Sequence, residues 1–158
     1  MTSMDPVVLQ PVGRVVGGRD EWFEDGWEAV ESVIELDSAR FGEGAVTGLA
    51  EFSHLEVVFL FDRVDPERIS AEPRPPRGDP RWEPVGVFAH RGPYRPNRLG
   101  VSRCRLLEVD GPRLRVAGLD ALSGTPVLDV KPHIAEFGAR GEIRQPAWAG
   151  ELMDGYHA

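Results

Sequence analysis

The chain has 158 residues, 41% of them hydrophobic and 28% charged, with a net charge of −8. That is enough for one core without disulfides or a structural metal, and too acidic for a nucleic-acid binder that works by bulk charge alone. Cys104 is the lone cysteine, which excludes an intramolecular disulfide and suits a reducing, cytoplasmic setting. The longest clean apolar run, residues 57–61, is far too short to span a bilayer. The opening MTSMDPVVLQ lacks the basic start and apolar stretch of a signal peptide.

In chain order, seven short runs rich in Val, Leu, Ile and Phe predict strands at 7–16, 29–36, 55–62, 85–89, 101–109, 113–119 and 126–130. Asp110-Gly111 falls between two of them and predicts a hairpin, because glycine supplies the positive φ that a tight turn needs. Leu114 and Val116 alternate with Arg113 and Arg115, giving that strand one inner and one outer face. Only 47–53 and 149–154 read as helical, and both are short. The expected fold is mainly β: one domain over 1–158, a small antiparallel β-barrel of about seven strands with short helices and long loops. Closure of the sheet removes exposed edges. An irregular tail is expected from about residue 135.

Two connections are poor in regular structure. Residues 17–27 are acidic and aromatic, with Trp22, Phe23 and Trp27, and residues 73–84 are rich in proline and arginine. The second reads either as an exposed connection or as a mobile lid. Charge is segregated along the chain: eleven acidic residues lie between Asp20 and Glu56 against Arg40, and seven arginines lie between Arg91 and Arg115 against Glu108 and Asp110. The arginines at 103, 105, 113 and 115 form either a basic face or an ordinary solvated strand surface.

Familiar reactive motifs are missing. Residues 42–48, GEGAVTG, miss the GxGxxG spacing by one position and read as turn formers. His54, His90, His133 and His157 are scattered, so no metal site is expected. There is no GxSxG elbow, and Cys104 reads as a small packed residue rather than a nucleophile. What stands out is the run from His90 to Arg98, HRGPYRPNR, because three arginines and an asparagine among prolines contribute nothing to a core and suit a loop that holds an anion.

RGPYRPNRLGVS, followed by GLDALSGTPVLDVKP, resembles the signature of the TrmO/YaeB-like family of S-adenosyl-L-methionine-dependent methyltransferases. The resemblance extends back through residues 48–55 to 11–15 and covers most of the chain. It implies methylation of N6 of threonylcarbamoyladenosine beside the tRNA anticodon, by a homodimer, with S-adenosyl-L-methionine as cofactor. By the same resemblance Asp62 and Arg63 stand where the family carries a His-Gln pair at a cofactor-contacting strand end. Asp120, Ala121, Leu122 and Ser123 match the loop around the adenosine and methionine. Arg91 is the partner for the methionyl carboxylate, for which a bidentate guanidinium is chemically suited.

Arg95 and Asn97 match the family motif, whereas Arg98 replaces its usual proline. Arg95 and Arg98 are assigned to substrate binding, and Asn97 to shaping the catalytic site. Asp129 and Lys131 share one face of a strand, and either pair with each other or help remove a proton from the accepting nitrogen. Arg91 also reads as a surface ion-pair residue, and Asp120 as a turn cap. The family's Pro-Arg-Gln run after the first strand has no counterpart in 17–22, and the C-terminal domain of longer members is missing. These departures keep two alternatives open: methylation of a small-molecule acceptor, and a non-catalytic S-adenosyl-L-methionine-binding module.

Overall fold

A computed structural model describes residues 3–158; Met1 and Thr2, at the head of the opening segment read above, lie outside the described residues. Among the described residues six strands are formed: β1 (Gly13–Val16), β2 (Glu31–Leu36), β3 (His54–Leu60), β4 (Leu99–Asp110), β5 (Arg113–Ala117) and β6 (Pro126–Pro132). All pairings are antiparallel, and the order β1-β2-β5-β4-β3-β6 closes on itself as a barrel. The expected mainly β, closed antiparallel fold is therefore present, with six strands rather than about seven.

The strand expected at 85–89 is not one. Val85 makes a single bridge to Arg74, and the chain then turns through a 3₁₀ segment, Val87–Ala89. Pro84 breaks the run on one side, and a closed six-stranded barrel offers no edge for a seventh strand. Of the first predicted strand, residues 7–11 are exposed and outside the sheet. The helix expected at 47–53 is replaced by two 3₁₀ turns, Glu43–Val46 and Leu49–Glu51, separated by Gly48 at φ +82°. The second expected helix is α1 (Ala147–Met153). No helix among the described residues is long and apolar enough to cross a membrane.

The core follows from strand alternation. Leu55, Val57 and Phe59 of β3 point inward and are buried, as are Leu114 and Val116 of β5, Ile34 of β2 and Val127 of β6. Opposite the large β3 side chains, β4 presents small ones in register: Cys104 faces Leu55, Ser102 faces Val57 and Gly100 faces Phe59. A Cβ at Gly100 would overlap the Phe59 ring. This pairing of large with small suits the tight interior of a narrow barrel.

The outer wall carries ion pairs, most of them between neighbouring strands. Arg103 pairs with Glu56, Arg105 with Glu28, Arg113 with Glu35, and Arg115 with both Glu31 and Glu108. The acidic and basic halves of the sequence thus neutralise each other across β2, β5, β4 and β3. Of the two readings of these arginines, the structure shows the solvated, paired strand surface. The Arg103 hydrogen bond holds the Glu56 carboxyl below its ordinary range, helped by Arg103 charge and His133. Because these pairs are exposed, each contributes little to stability.

Candidate functional site

With strict antiparallel alternation, the C-terminal ends of β1, β3 and β5 and the N-terminal ends of β2, β4 and β6 meet at one end of the barrel. Three connections converge there, in four segments: 17–27 after β1, 61–65 and 90–98 at the two ends of the β3–β4 connection, and 118–125 between β5 and β6. Nearly every candidate residue of the sequence lies on these loops. Proline and glycine shape them: Gly118 (φ +82°) and Gly124 (φ +87°) bracket Asp120–Ser123 in left-handed turns that a side chain would strain.

The loop 17–27 folds over this end as a cap. Fully buried Trp27 anchors it, Trp22 stacks at 5.1 Å, and the Arg19 guanidinium lies 4.4 Å from the Trp27 ring centroid. Arg19 donates to the carbonyls of Asp25 and Gly26, both at 2.8 Å. The Ser123 N–H donates to the Arg19 carbonyl at 2.8 Å, tying this cap to the 118–125 loop.

Arg63 completes the tie. Its guanidinium donates to the Asp20 carbonyl and to the Ser123 carbonyl, each at 2.6 Å. It therefore joins three connections as a backbone clasp. Its neighbour Asp62 is exposed at the same strand end.

On the β3–β4 side, Arg95 donates to the His90 carbonyl at 2.6 Å, Arg98 to the Val64 carbonyl at 3.2 Å, and Arg91 to the Val101 carbonyl at 3.1 Å. Arg74 donates to the Tyr94 carbonyl at 3.0 Å, and Arg68 stacks over the Tyr94 ring at 4.8 Å. Among the described residues none of these arginines has a carboxylate ion-pair partner, in contrast to the paired arginines of the barrel wall. The surface-ion-pair reading of Arg91 is thus not what the structure holds. Asn97 and Arg98 adopt left-handed backbone, φ +62° and +51°, which is costly outside glycine and fixes the RPNR turn in an uncommon shape.

Residues 73–84 are tied down rather than free. Arg77 pairs with Glu24 at 3.2 Å and Asp25 at 3.3 Å, and Pro76 is buried. The His90 ring Nε2–H is shared between the carbonyls of Arg74 and Val85, both at 3.1 Å.

Asp120 is a half-buried carboxylate at this end. Its Oδ2 accepts from the Tyr156 hydroxyl, and its Oδ1 is buried with no partner. The turn-cap reading does not describe it. Burial, then the Asp120 charge, pushes the neighbouring Cys104 thiol up to about 12. Ala121 is buried beside Asp120, and Leu122 and Ser123 are half-buried.

Asp129 and Lys131 are not on these loops. They lie on the outer face of β6, opposite Val58 and Glu56 of β3, and form an ion pair at 3.1 Å with side chains 50% and 65% exposed. The structural-pair reading is the one observed. Two shallow cavities, about 190 Å³ beside Arg113 and Arg115 and about 220 Å³ at the opposite barrel end beside Phe41 and Pro112, are both away from this loop cluster. Among the described residues no three His, Cys, Asp or Glu side chains gather as a metal site.

Sequence reasoning missed Tyr156, Arg19 and Arg74. Tyr156 sits in a segment with no periodic signal, and its partner is 36 residues away. Arg19 and Arg74 act through backbone carbonyls, which no sequence spacing announces.

These loops and this barrel can be compared with known proteins. The family model for the tRNA-methyltransferase O N-terminal domain matches residues 24–139. The chain belongs to that family. The human tRNA (adenine(37)-N6)-methyltransferase is 35% identical over 115 residues, 73% of this chain and 26% of that protein. A probable S-adenosyl-L-methionine-binding protein of Pyrococcus abyssi is 38% identical over 115 residues, 73% of this chain and 59% of that protein. The crystal structure of TrmO from Pseudomonas aeruginosa superposes with a TM-score of 0.74 at 28% identity, covering 94% of this chain and 64% of that one. The chain thus spans between about a quarter and two thirds of the length of these relatives.

Proposed function

We propose that this TrmO-family chain is an S-adenosyl-L-methionine-dependent methyltransferase acting on tRNA, at N6 of threonylcarbamoyladenosine next to the anticodon. The observation that carries the reading is the barrel end itself, where arginines without carboxylate partners stand beside a buried carboxylate oxygen that lacks a donor. The names of the relatives support the reaction and the cofactor.

The residues present fit such a cofactor. Arg91 takes the methionyl carboxylate, and exchanges or shares its bond to the Val101 carbonyl on doing so. Asp120 offers Oδ1 to a cofactor N–H or O–H, with Ala121, Leu122 and Ser123 lining the same loop and Asp62 at the adjoining strand end. The cofactor, when bound, supplies an electrophilic methyl on a sulfonium whose charge disappears on transfer. Arg63 is a positioning residue, holding the cap and the 118–125 loop in register, rather than a ligand. Arg95, Arg98 and Asn97 orient the acceptor nucleotide from the RPNR turn, where the fixed backbone limits motion.

Asp129 and Lys131 act as a wall ion pair. A catalytic part for either would need approach from a second copy of the chain. The proposed homodimer uses the outer face of β3 and β4, where Val101 is 53% exposed beside Val58. The chain works as one unit over 1–158, in the cytoplasm where its substrate is found.

A second reading, methyl transfer to a small acceptor, draws on the net charge of −8 and on the wall arginines, whose pairing leaves fewer contacts for phosphates. Titration calorimetry with S-adenosyl-L-methionine tests the cofactor assignment. An arginine–carboxylate bond contributes about 1.5–3 kcal/mol, so Arg91→Ala should weaken binding by roughly tenfold or more. Affinity within twofold of wild type would remove Arg91 from the site, and no binding by wild type would defeat the reading.

A further inference from the structure

We infer that the C-terminal segment of this chain is part of the cofactor site, with Tyr156 as a positioning residue that holds Asp120 so that one carboxylate oxygen is presented to the ligand. This rests on the cofactor reading above and extends it to residues beyond the 24–139 stretch that matches the family model.

Three ties hold the segment across the barrel end. Trp82 Nε1–H donates to Glu151 Oε2 at 2.8 Å, fixing α1 against the 73–84 connection. The N–H groups of Gly26 and Trp27 donate to the carbonyls of Gly155 and Tyr156 at 3.0 and 2.9 Å, so two backbone hydrogen bonds tie the strap to the cap loop. The Tyr156 hydroxyl then reaches inward and donates to Asp120 Oδ2. Gly155, at φ +80°, provides the turn that aims it.

The chemistry of the pair points one way. A carboxylate has two acceptor oxygens, and a buried acceptor without a donor is uncommon because its lost hydration is not replaced. Here Tyr156 satisfies Oδ2, and Oδ1 is buried and unpartnered among the described residues. Burial, followed by the Asp120 charge and hydrogen bond, drives the phenol far above its ordinary range, with nearby Arg91 partly opposing. The phenol therefore remains an O–H donor at any working pH and cannot repel the carboxylate. The Asp120 charge also adds to the burial that pushes the Cys104 thiol up. Fixing one oxygen from the strap leaves the other as a preorganised acceptor, and the ordering cost of binding falls accordingly.

A double-mutant cycle read by calorimetry with S-adenosyl-L-methionine tests this on the full chain. Tyr156→Phe keeps the ring and removes the donor; it should weaken binding about tenfold, the size of one hydrogen bond to a charged group. Asp120→Asn should weaken binding at least as much. The double variant should bind no worse than Asp120→Asn alone, because the phenol acts only through that carboxylate. In turnover, Tyr156→Phe should raise KM for the cofactor about tenfold with kcat within twofold, a split that general loosening of the fold would not give. Unchanged affinity in Tyr156→Phe, or losses that multiply in the double variant, would overturn this inference while leaving the cofactor reading intact. Tighter binding in Tyr156→Phe would overturn it too, by making the strap an occluding one. Absence of binding by the wild-type chain would overturn both.

Discussion

Replacing Arg63 by alanine gives the sharpest structural prediction. The guanidinium makes two bonds at 2.6 Å, one to the cap loop at Asp20 and one to the β5–β6 loop at Ser123. Charged hydrogen bonds are worth about 1.5–3 kcal/mol when dry and well under 1 kcal/mol when fully wet. Arg63 is exposed, so about 1 kcal/mol per bond is a fair middle value, or about 2 kcal/mol together. For a chain of this size that corresponds to a fall of roughly 4–8 °C in the melting midpoint, readable by circular dichroism. The loss should be local first. The amides of Ser123 and Gly124, which donate to the carbonyls of Arg19 and Val15 at 2.8 and 2.7 Å, should exchange with solvent faster, while those of β3 and β4 should not. Cofactor affinity should drop with them, since Asp120 sits on the loosened loop. A midpoint within 1 °C of wild type (about 0.3 kcal/mol), with native exchange at Ser123 and Gly124, would refute the clasp.

Other predictions follow from the core and the charge pattern. Gly100→Ala forces a Cβ into the Phe59 ring and should cost about 1–3 kcal/mol by overpacking, seen as a lower urea midpoint with unchanged slope. The Cys104 thiol, 2% exposed and pushed up to about 12, should resist a thiol reagent at pH 8 until the chain unfolds. Its folded value lies above the unfolded value of about 8.5, so stability is intact below pH 8.5 and falls by about 1.4 kcal/mol per unit as pH rises toward 12. Alkaline denaturation of Cys104→Ser against wild type checks the sign. If tRNA is the substrate, removing Arg95 or Arg98 should reduce the salt slope of tRNA binding by about one each, whereas Arg113→Ala and Arg115→Ala should leave it nearly unchanged because both are ion-paired.

The parts of this fold that were readable in the sequence are the local ones. Alternation placed Leu114 and Val116 inside, and Asp110-Gly111 marked the hairpin between β4 and β5. β4 was harder, because apolar pattern points Val101 inward while the structure turns it out and packs Gly100, Ser102 and Cys104 against the larger β3 side chains. The fate of the arginine stripe was illegible for a topological reason. Arg113 and Arg115 find glutamates on β2, and Arg103 finds Glu56 on β3, because the strand order is β1-β2-β5-β4-β3-β6 rather than sequential. Motif chemistry pointed to the loops at one barrel end, since RPNR and LDALSG both fall on connections there. It did not foresee that Arg63 bonds the Asp20 and Ser123 carbonyls, and it passed over Tyr156, whose meaning depends on a contact across 36 residues.

The central claim is methyl transfer at this barrel end. The most direct test is transfer of label from S-adenosyl-L-methionine to tRNA bearing threonylcarbamoyladenosine, run beside the same tRNA lacking the threonylcarbamoyl group. The account predicts label only on the first, mapped to the adenosine next to the anticodon, and lost in Arg91→Ala. Label on neither tRNA would contradict it.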